Sequence, residues 1–292
     1  MLHHPASQRL ADLRKAVAAI EAAPGLSYGR RLKPDAGVQR RRIRLGDGAL
    51  GLDDMLGGGL RCGALHEIVA SHRQDDGAAS AFALALAIRC IGDQPLVWIV
   101  EDCAAYETGV PYRPGLEAHG LDPDRLVLVR TREAQTTLWA FEEALRLEAP
   151  VVLAEVWSGK HYDLAASRRL LLAAQAGRGT ALLLHTGLSG RADGLSSVAE
   201  TRLCVASAPS PRIASAGHRM PIPGEAAFAV RILKQRLGAA TRFDSDHTHA
   251  LVWNPKQRCF DDHPVPVGLS ASIADGSHRA DPPGRSLLAR RA

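Results

Sequence analysis

The chain has 292 residues, 46% of them hydrophobic, with a formal net charge of +5. That is enough for one large α/β domain with appendages. No apolar run approaches the roughly 20 residues that span a bilayer, which excludes a transmembrane helix. The first residues, MLHHPASQRLADLRKAV, carry charge but no apolar h-region, so no signal peptide is expected and the reading is a cytoplasmic protein without membrane contact. Cys62, Cys90, Cys103, Cys204 and Cys259 never stand at metal-ligand spacing and are read as buried free thiols; His247 and His249 are read as solvated.

In chain order, Leu10, Leu13, Val17 and Ile20 recur at helical spacing, which predicts an N-terminal amphipathic helix (about 7 to 23, within a segment 1–25) closed by Pro24-Gly25. A basic linker over 26–42 follows, with Arg30, Arg31, Lys33, Arg40, Arg41 and Arg42. Such a cluster suits nucleic-acid phosphate or an acidic partner, and a plain solvated linker is an equal reading. RIRLGDG then reads as a strand entering a turn, and Leu52 to Leu56 as a short helix stopped by Gly57-Gly58-Gly59.

From residue 64 strands and helices alternate. Strands are expected over Leu65 to Ala70, Pro95 to Val100, Leu126 to Val129, Val151 to Ala154 and Ala181 to His185. Helices are expected over Gly77 to Ile91, Pro114 to His119, Gln135 to Leu147 and Asp163 to Ala176. Near-continuous apolar strands such as LVWIV and ALLLH belong to parallel sheets covered on both faces. TRLCVAS, AFAVRILKQR and HALVWNP read as a small antiparallel extension. From Asp261 onward the chain is rich in Pro, Gly, Ser and Arg and predicts a disordered tail, 261–292, leaving a core over 43–260.

The segment HEIVASHRQDDGAASAFALALA has the strand–loop–helix form of a phosphate-binding loop. A working loop needs a lysine on the phosphate oxygens and a hydroxyl on magnesium, and here Ala78 and Ala79 follow Gly77. Each charge-assisted hydrogen bond lost costs about 1.5–3 kcal/mol, so two correspond to roughly a hundred- to ten-thousandfold in affinity. Asp75 and Asp76 are expected to cap the helix and to occupy its positive end in place of a phosphate. The expectation is a spent site with no ATP hydrolysis, no cofactor and no metal.

The order of segments resembles the RecA family. LGDGALGLDDMLGGGLRCGALHEIVA is similar to the lead into that family's P-loop strand, LVWIVEDCAAYETGVPYRPGLEAHGLDPDRLVLV to the next β–α–β unit, and PVVLAEVW to the Walker B strand with Glu155 in the acidic position. FAVRILKQR resembles the late strand whose basic residues, here Lys234 and Arg236, reach across a filament interface. Of that family's DNA-binding loops the first looks deleted and the second short, so the chain is not expected to be a filament-forming recombinase. With a degenerate loop beside LGGGL, HEI, GLDPDRL and SRRLLLAAQAG, the chain most resembles the ImuA family.

That resemblance implies an accessory protein of damage-inducible mutagenesis (part of the SOS response), supporting translesion DNA repair synthesis on a RecA-like core. The partners it implies are ImuB, an inactive Y-family-like polymerase homologue, and an error-prone C-family DNA polymerase, with RecA and a second copy as further candidates. Contact with partner or DNA would fall on Leu10, Leu13, Val17, Ile20, Arg40, Arg41, Arg42, Lys234 and Arg236. Two other readings remain open. One is a RecA-paralogue ATPase or recombination mediator that uses Asp102 and Glu155, and the other is an inhibitor docking on RecA or on the cell-division machinery.

Overall fold

The computed structural model describes residues 41–48, 50–147, 149–188, 194–213, 222–236 and 246–262. The predicted N-terminal helix, Arg40 and the rest of the linker up to it, and the tail from 263 lie outside the described residues. A boundary divides the chain between Arg41 and Arg42, and the following concerns the part after it.

The elements are β1 (Arg42–Ile43), α1 (Gly51–Met55), β2 (Leu60–Arg61), β3 (Leu65–Ala70), α2 (Asp76–Ile91), β4 (Leu96–Glu101), α3 (Asp102–Thr108) and α4 (Arg113–Ala118). They continue with β5 (Leu126–Thr131), α5 (Ala134–Arg146), β6 (Val151–Val156), α6 (Leu164–Gly177), β7 (Thr180–His185), β8 (Thr201–Ser207), β9 (Arg212–Ile213), β10 (Ile222–Pro223), β11 (Ala227–Gln235), β12 (Thr248–Asn254) and β13 (Cys259–Asp262). Short 3₁₀ turns stand at Arg73–Asp75, Pro123–Arg125 and Gly159–His161.

Nine strands form one mixed sheet in the order β13-β12-β11-β8-β3-β7-β6-β4-β5. The six from β5 to β8 are parallel, while β8 to β13 pair antiparallel. The fold class expected from the alternation is therefore observed, an α/β protein with a large, mostly parallel sheet between helices. TRLCVAS, expected in the antiparallel extension, is its first strand and at the same time the last strand of the parallel run. It is β8, parallel to β3 on one edge and antiparallel to β11 on the other. Asp261 and Asp262, expected in the tail, instead belong to β13 and pair with Val252 and Leu251.

The apolar strand runs fill two cores at once. Trp98, Val100, Leu153 and Leu182 face a core completed by α2 and by Leu116 of α4. Their neighbours Ile99, Val152, Ala154 and Leu183 face a second core completed by Leu138, Phe141 and Leu145 of α5 and by Leu170 and Ala174 of α6. Side chains alternate across a strand, so every position of a doubly covered strand must be apolar. Phe82 of α2 joins the parallel half to the extension, with its ring centroid 5.4 Å from Phe228 and 5.2 Å from Phe260. Trp98 is core, as expected of a tryptophan on a central strand.

Before the sheet, β1 and β2 pair antiparallel, Ile43 opposite Leu60. Gly59 makes their approach possible. Its φ is +107°, and a Cβ there would lie 2.2 Å from the Ile43 carbonyl oxygen. Arg42, read as a contact for partner or DNA, works inside the fold. Its guanidinium donates to the Leu56 carbonyl at the end of α1 at 2.7 Å and to the Gly59 carbonyl of the following turn at 2.9 Å. Arg41 is exposed.

Candidate functional site

Open α/β sheets place ligands beyond the carboxyl ends of the strands, where successive connections leave on opposite faces. Here β4 and β6 are neighbours, and α3 and α6 leave them towards different cores. The loop from β3 to α2 opens at the same end, so Glu101, Asp102, Glu155 and residues 71–76 share one rim of the sheet.

The loop is closed. His72 is extended and Arg73–Asp75 make a 3₁₀ turn that runs directly into α2. The Ser71 N–H donates to the Val205 carbonyl of β8 (2.8 Å) and the Asp75 N–H to His72 (2.9 Å), while the Asp76 N–H donates to Arg73. A phosphate cradle requires such groups to converge on a ligand, and these are spent on the chain itself. Gly77 lies in open space, where a Cβ would meet nothing within 4 Å, and Ala79 is fully buried in the core. Ala78 packs against that core.

Asp75 does not cap the helix as expected. Its carboxylate turns to β8 and accepts from the Ser207 N–H at 3.0 Å and the Ser207 hydroxyl at 2.9 Å. The 3₁₀ turn explains the difference, since it already supplies carbonyl acceptors to the first helical N–H groups. Burial acts to raise the Asp75 pKa, but the Ser207 and His72 hydrogen bonds outweigh it and the net shift is downward.

Glu155 is 2% exposed at the carboxyl end of β6. Thr108 at the end of α3 donates to it at 3.0 Å. Burial first, and then the nearby Asp76 carboxylate, push its pKa up to about 7 against the pull of the Thr108 hydrogen bond. Near neutral pH this group is substantially protonated, which weakens it as an anchor for a divalent cation. Asp102 lies apart from it in a half-exposed pair with Arg130 of β5, at 2.7 Å. Glu101 is engaged by the Trp157 backbone N–H at 2.7 Å.

A bridge across the rim was not legible in the sequence. Arg73 pairs with Glu107 of α3 at 2.6 Å, and its guanidinium carbon stands 5.1 Å from the centre of the Trp157 ring. The β3–α2 loop is thereby tied to α3 across the residue that follows β6. The interacting residues come from three separate segments, so no local pattern announces them.

Lys234 and Arg236 do not meet the rim. Lys234 donates to the Ser197 carbonyl at 2.5 Å and Arg236 to the Val198 carbonyl at 2.8 Å, so both hold the segment before β8. Beneath that segment lies a buried network absent from the expectations. Arg202 of β8 donates to Glu67 of β3 at 2.6 Å, and the Tyr162 hydroxyl donates to the same carboxylate. Burial acts to raise the Glu67 pKa, but His185, Arg202 and the hydrogen bonds together hold it below the usual carboxylate range.

Burial likewise pushes His185 down to about 4 and His66 down to about 3. Both are neutral at physiological pH. His249 is buried on β12 and stacked edge-on to His247, not solvated. Of the thiols, Cys204 and Cys259 are buried as expected, Cys62 and Cys90 are partly buried, and Cys103 is exposed. Among the described residues no group of three or more His, Cys, Asp or Glu is placed to hold a metal, and no helix is long and apolar enough to cross a membrane.

No family model matches the chain. Two curated relatives, each named Protein ImuA and coming from two strains of Caulobacter vibrioides, are 34% identical to it over 143 residues. The matched stretch is 47% of this chain, and the chain spans about half the length (55%) of each relative. Sequence kinship with ImuA, expected from the residues, is thus shown over about half of the chain.

Proposed function

From this kinship with the ImuA proteins, we propose that the protein is a non-catalytic accessory factor of DNA-damage-induced mutagenesis. It supports error-prone translesion synthesis through protein–protein contacts on a RecA-like core. The sheet order and its two helical layers are compatible with such a core. Its partners on this reading are an ImuB-like inactive polymerase homologue and an error-prone C-family polymerase, and the chemistry resides in the latter.

The observation that carries the reading is the closed β3–α2 loop. The Ser71, Asp75 and Asp76 N–H groups are used internally, Ala78 and Ala79 follow Gly77 where a lysine and a hydroxyl would be needed, and the Arg73–Glu107 bridge spans the rim. The loss of two charge-assisted contacts alone weakens a nucleotide by roughly a hundredfold or more. Displacing the internal hydrogen bonds adds to that.

The ATPase reading draws on Glu155 and Asp102, and both are poorly disposed for it. Glu155 titrates near 7, and Asp102 is held by Arg130 at the sheet edge. Isothermal calorimetry with Mg·ATP checks the matter. No saturable binding below millimolar nucleotide is expected, and no phosphate release. Micromolar binding abolished by substitutions in residues 73–77 would overturn the non-catalytic assignment. Purification together with the two polymerase-type partners from the same cassette tests the adaptor role.

A further inference from the structure

We propose that the outward face of α5 and α6 is a docking surface for an amphipathic helix of a partner protein, one that presents leucine-type anchors flanked by carboxylates. This names a surface and a chemistry for the adaptor role proposed above and rests on that reading. The two helices pack side by side, tied by Arg169 of α6 donating to Glu142 of α5 at 3.2 Å. Their inward residues complete the second core.

Their outward residues mix large apolar side chains with charged ones. Trp139 of α5 is 63% exposed, and Leu164 and Leu172 of α6 are each 52% exposed. Single exposed leucines are ordinary. Here, however, Leu164, Arg168 and Leu172 stand at i, i+4 and i+8 on one stripe, with Ala165 and Ala176 exposed on the same helix. Small residues admit a close helix backbone, and an i, i+4 ridge is what a second helix packs against.

The charges define the occupant further. Arg146 bonds Glu142 and Glu143, and Arg169 bonds Glu142, so those cations are satisfied within the pair of helices. Arg168 is exposed between the two leucines and has no carboxylate partner among the described residues. A tryptophan and an arginine amid apolar side chains are the residue types that dominate binding hot spots. An acidic residue on the incoming helix would complete the arrangement. A helical face presents no strand edge, so an added β-strand has nothing to pair with.

The test uses the full chain and two synthetic helical peptides of roughly 20 residues, long enough to hold helix. Both carry leucines on one face, flanked by glutamates in one and by lysines in the other. Fluorescence anisotropy should show saturable binding of the glutamate peptide and at least about tenfold weaker binding of the lysine peptide. Leu172→Asp and Trp139→Ser should each weaken the glutamate peptide at least about tenfold. Arg168→Glu should reverse the preference between the two peptides. Lys256→Glu, in the exposed turn between β12 and β13 at the opposite end of the sheet, should change neither.

Absence of saturable binding, equal binding of both peptides, or indifference to the three surface substitutions overturns the proposal. So does a dimer in sedimentation that Leu172→Asp dissolves, which would make a second copy the occupant. Single-stranded DNA binding lost in Trp139→Ser would overturn it in favour of base stacking. If the peptide results hold while the cassette partners still bind the Leu172→Asp and Trp139→Ser variants, those partners do not use this surface and the assignment to the adaptor role falls. If the wild-type protein binds the glutamate peptide but neither cassette partner, the surface stands and the adaptor reading fails.

Discussion

Asp75 and Glu155 show how two carboxylates on one rim acquire opposite chemistry. Asp75 gains two hydrogen bonds from Ser207, and its pKa falls despite burial. Glu155 gains one from Thr108 and faces Asp76, and its pKa rises to about 7. Linkage gives the signs. Asp75 contributes stability above its unfolded pKa that is lost as the pH falls, whereas Glu155 contributes stability at low pH that is lost as the pH rises from about 4.5 towards 7. Glu155→Gln should therefore raise stability relative to the wild type at pH 8, by at most about 3 kcal/mol. The advantage should vanish near pH 4, as read by urea denaturation across pH. Ser207→Ala should do the reverse, costing about 1–2 kcal/mol at pH 7 and markedly less at pH 3. A variant Glu155→Gln that is equally destabilised at every pH would show that burial does not control this carboxylate.

At the scale of elements, the buried Glu67–Arg202–Tyr162 network and the turn at Gly59 depend on tight constraints. Breaking a buried pair by removing one partner leaves an uncompensated charge, typically a loss of 3–5 kcal/mol. Arg202→Met should show a loss of about that size in chemical denaturation, and Arg202→Met combined with Glu67→Gln should recover part of it. Gly59→Ala combines a positive φ with a Cβ overlapping the Ile43 carbonyl and should cost about 2 kcal/mol or more. Edge strand β5 offers a different liability. Among the described residues it pairs only with β4, and Val127 is 50% exposed on it. Long apolar edges invite association. Val127→Lys should lower concentration-dependent aggregation in light scattering without lowering the melting temperature.

Across the whole molecule, Phe82 holds the parallel half to the antiparallel extension through Phe228 and Phe260. Phe82→Ala should cost about 3–5 kcal/mol, and if the extension melts separately, the loss should appear as a second transition in calorimetry. From its Pro, Gly, Ser and Arg composition, we propose that the segment after Asp262 is dispensable for folding. Truncation after Asp262 should therefore leave the melting temperature unchanged. Truncation after Arg258 removes β13 and the fully buried Phe260 and should abolish soluble expression.

What the sequence determined by itself was whatever rests on local periodicity and on the chemistry of single residues. LVWIV and ALLLH are strands buried on both faces because alternating side chains fill two cores, and that pattern is written in consecutive letters. The alanines Ala78 and Ala79 after Gly77 were equally plain, and so was the kinship with ImuA. Only tertiary structure decided where polar groups found their partners. Asp75 turned from its helix to Ser207, 132 residues away in the chain. Arg42 was drawn into the end of α1, Lys234 onto Ser197, and Arg73 across to Glu107. A hydrogen bond or ion pair depends on a few tenths of an ångström and on an angle. The residues that meet it are brought together by sheet order and packing, which no short window of sequence contains.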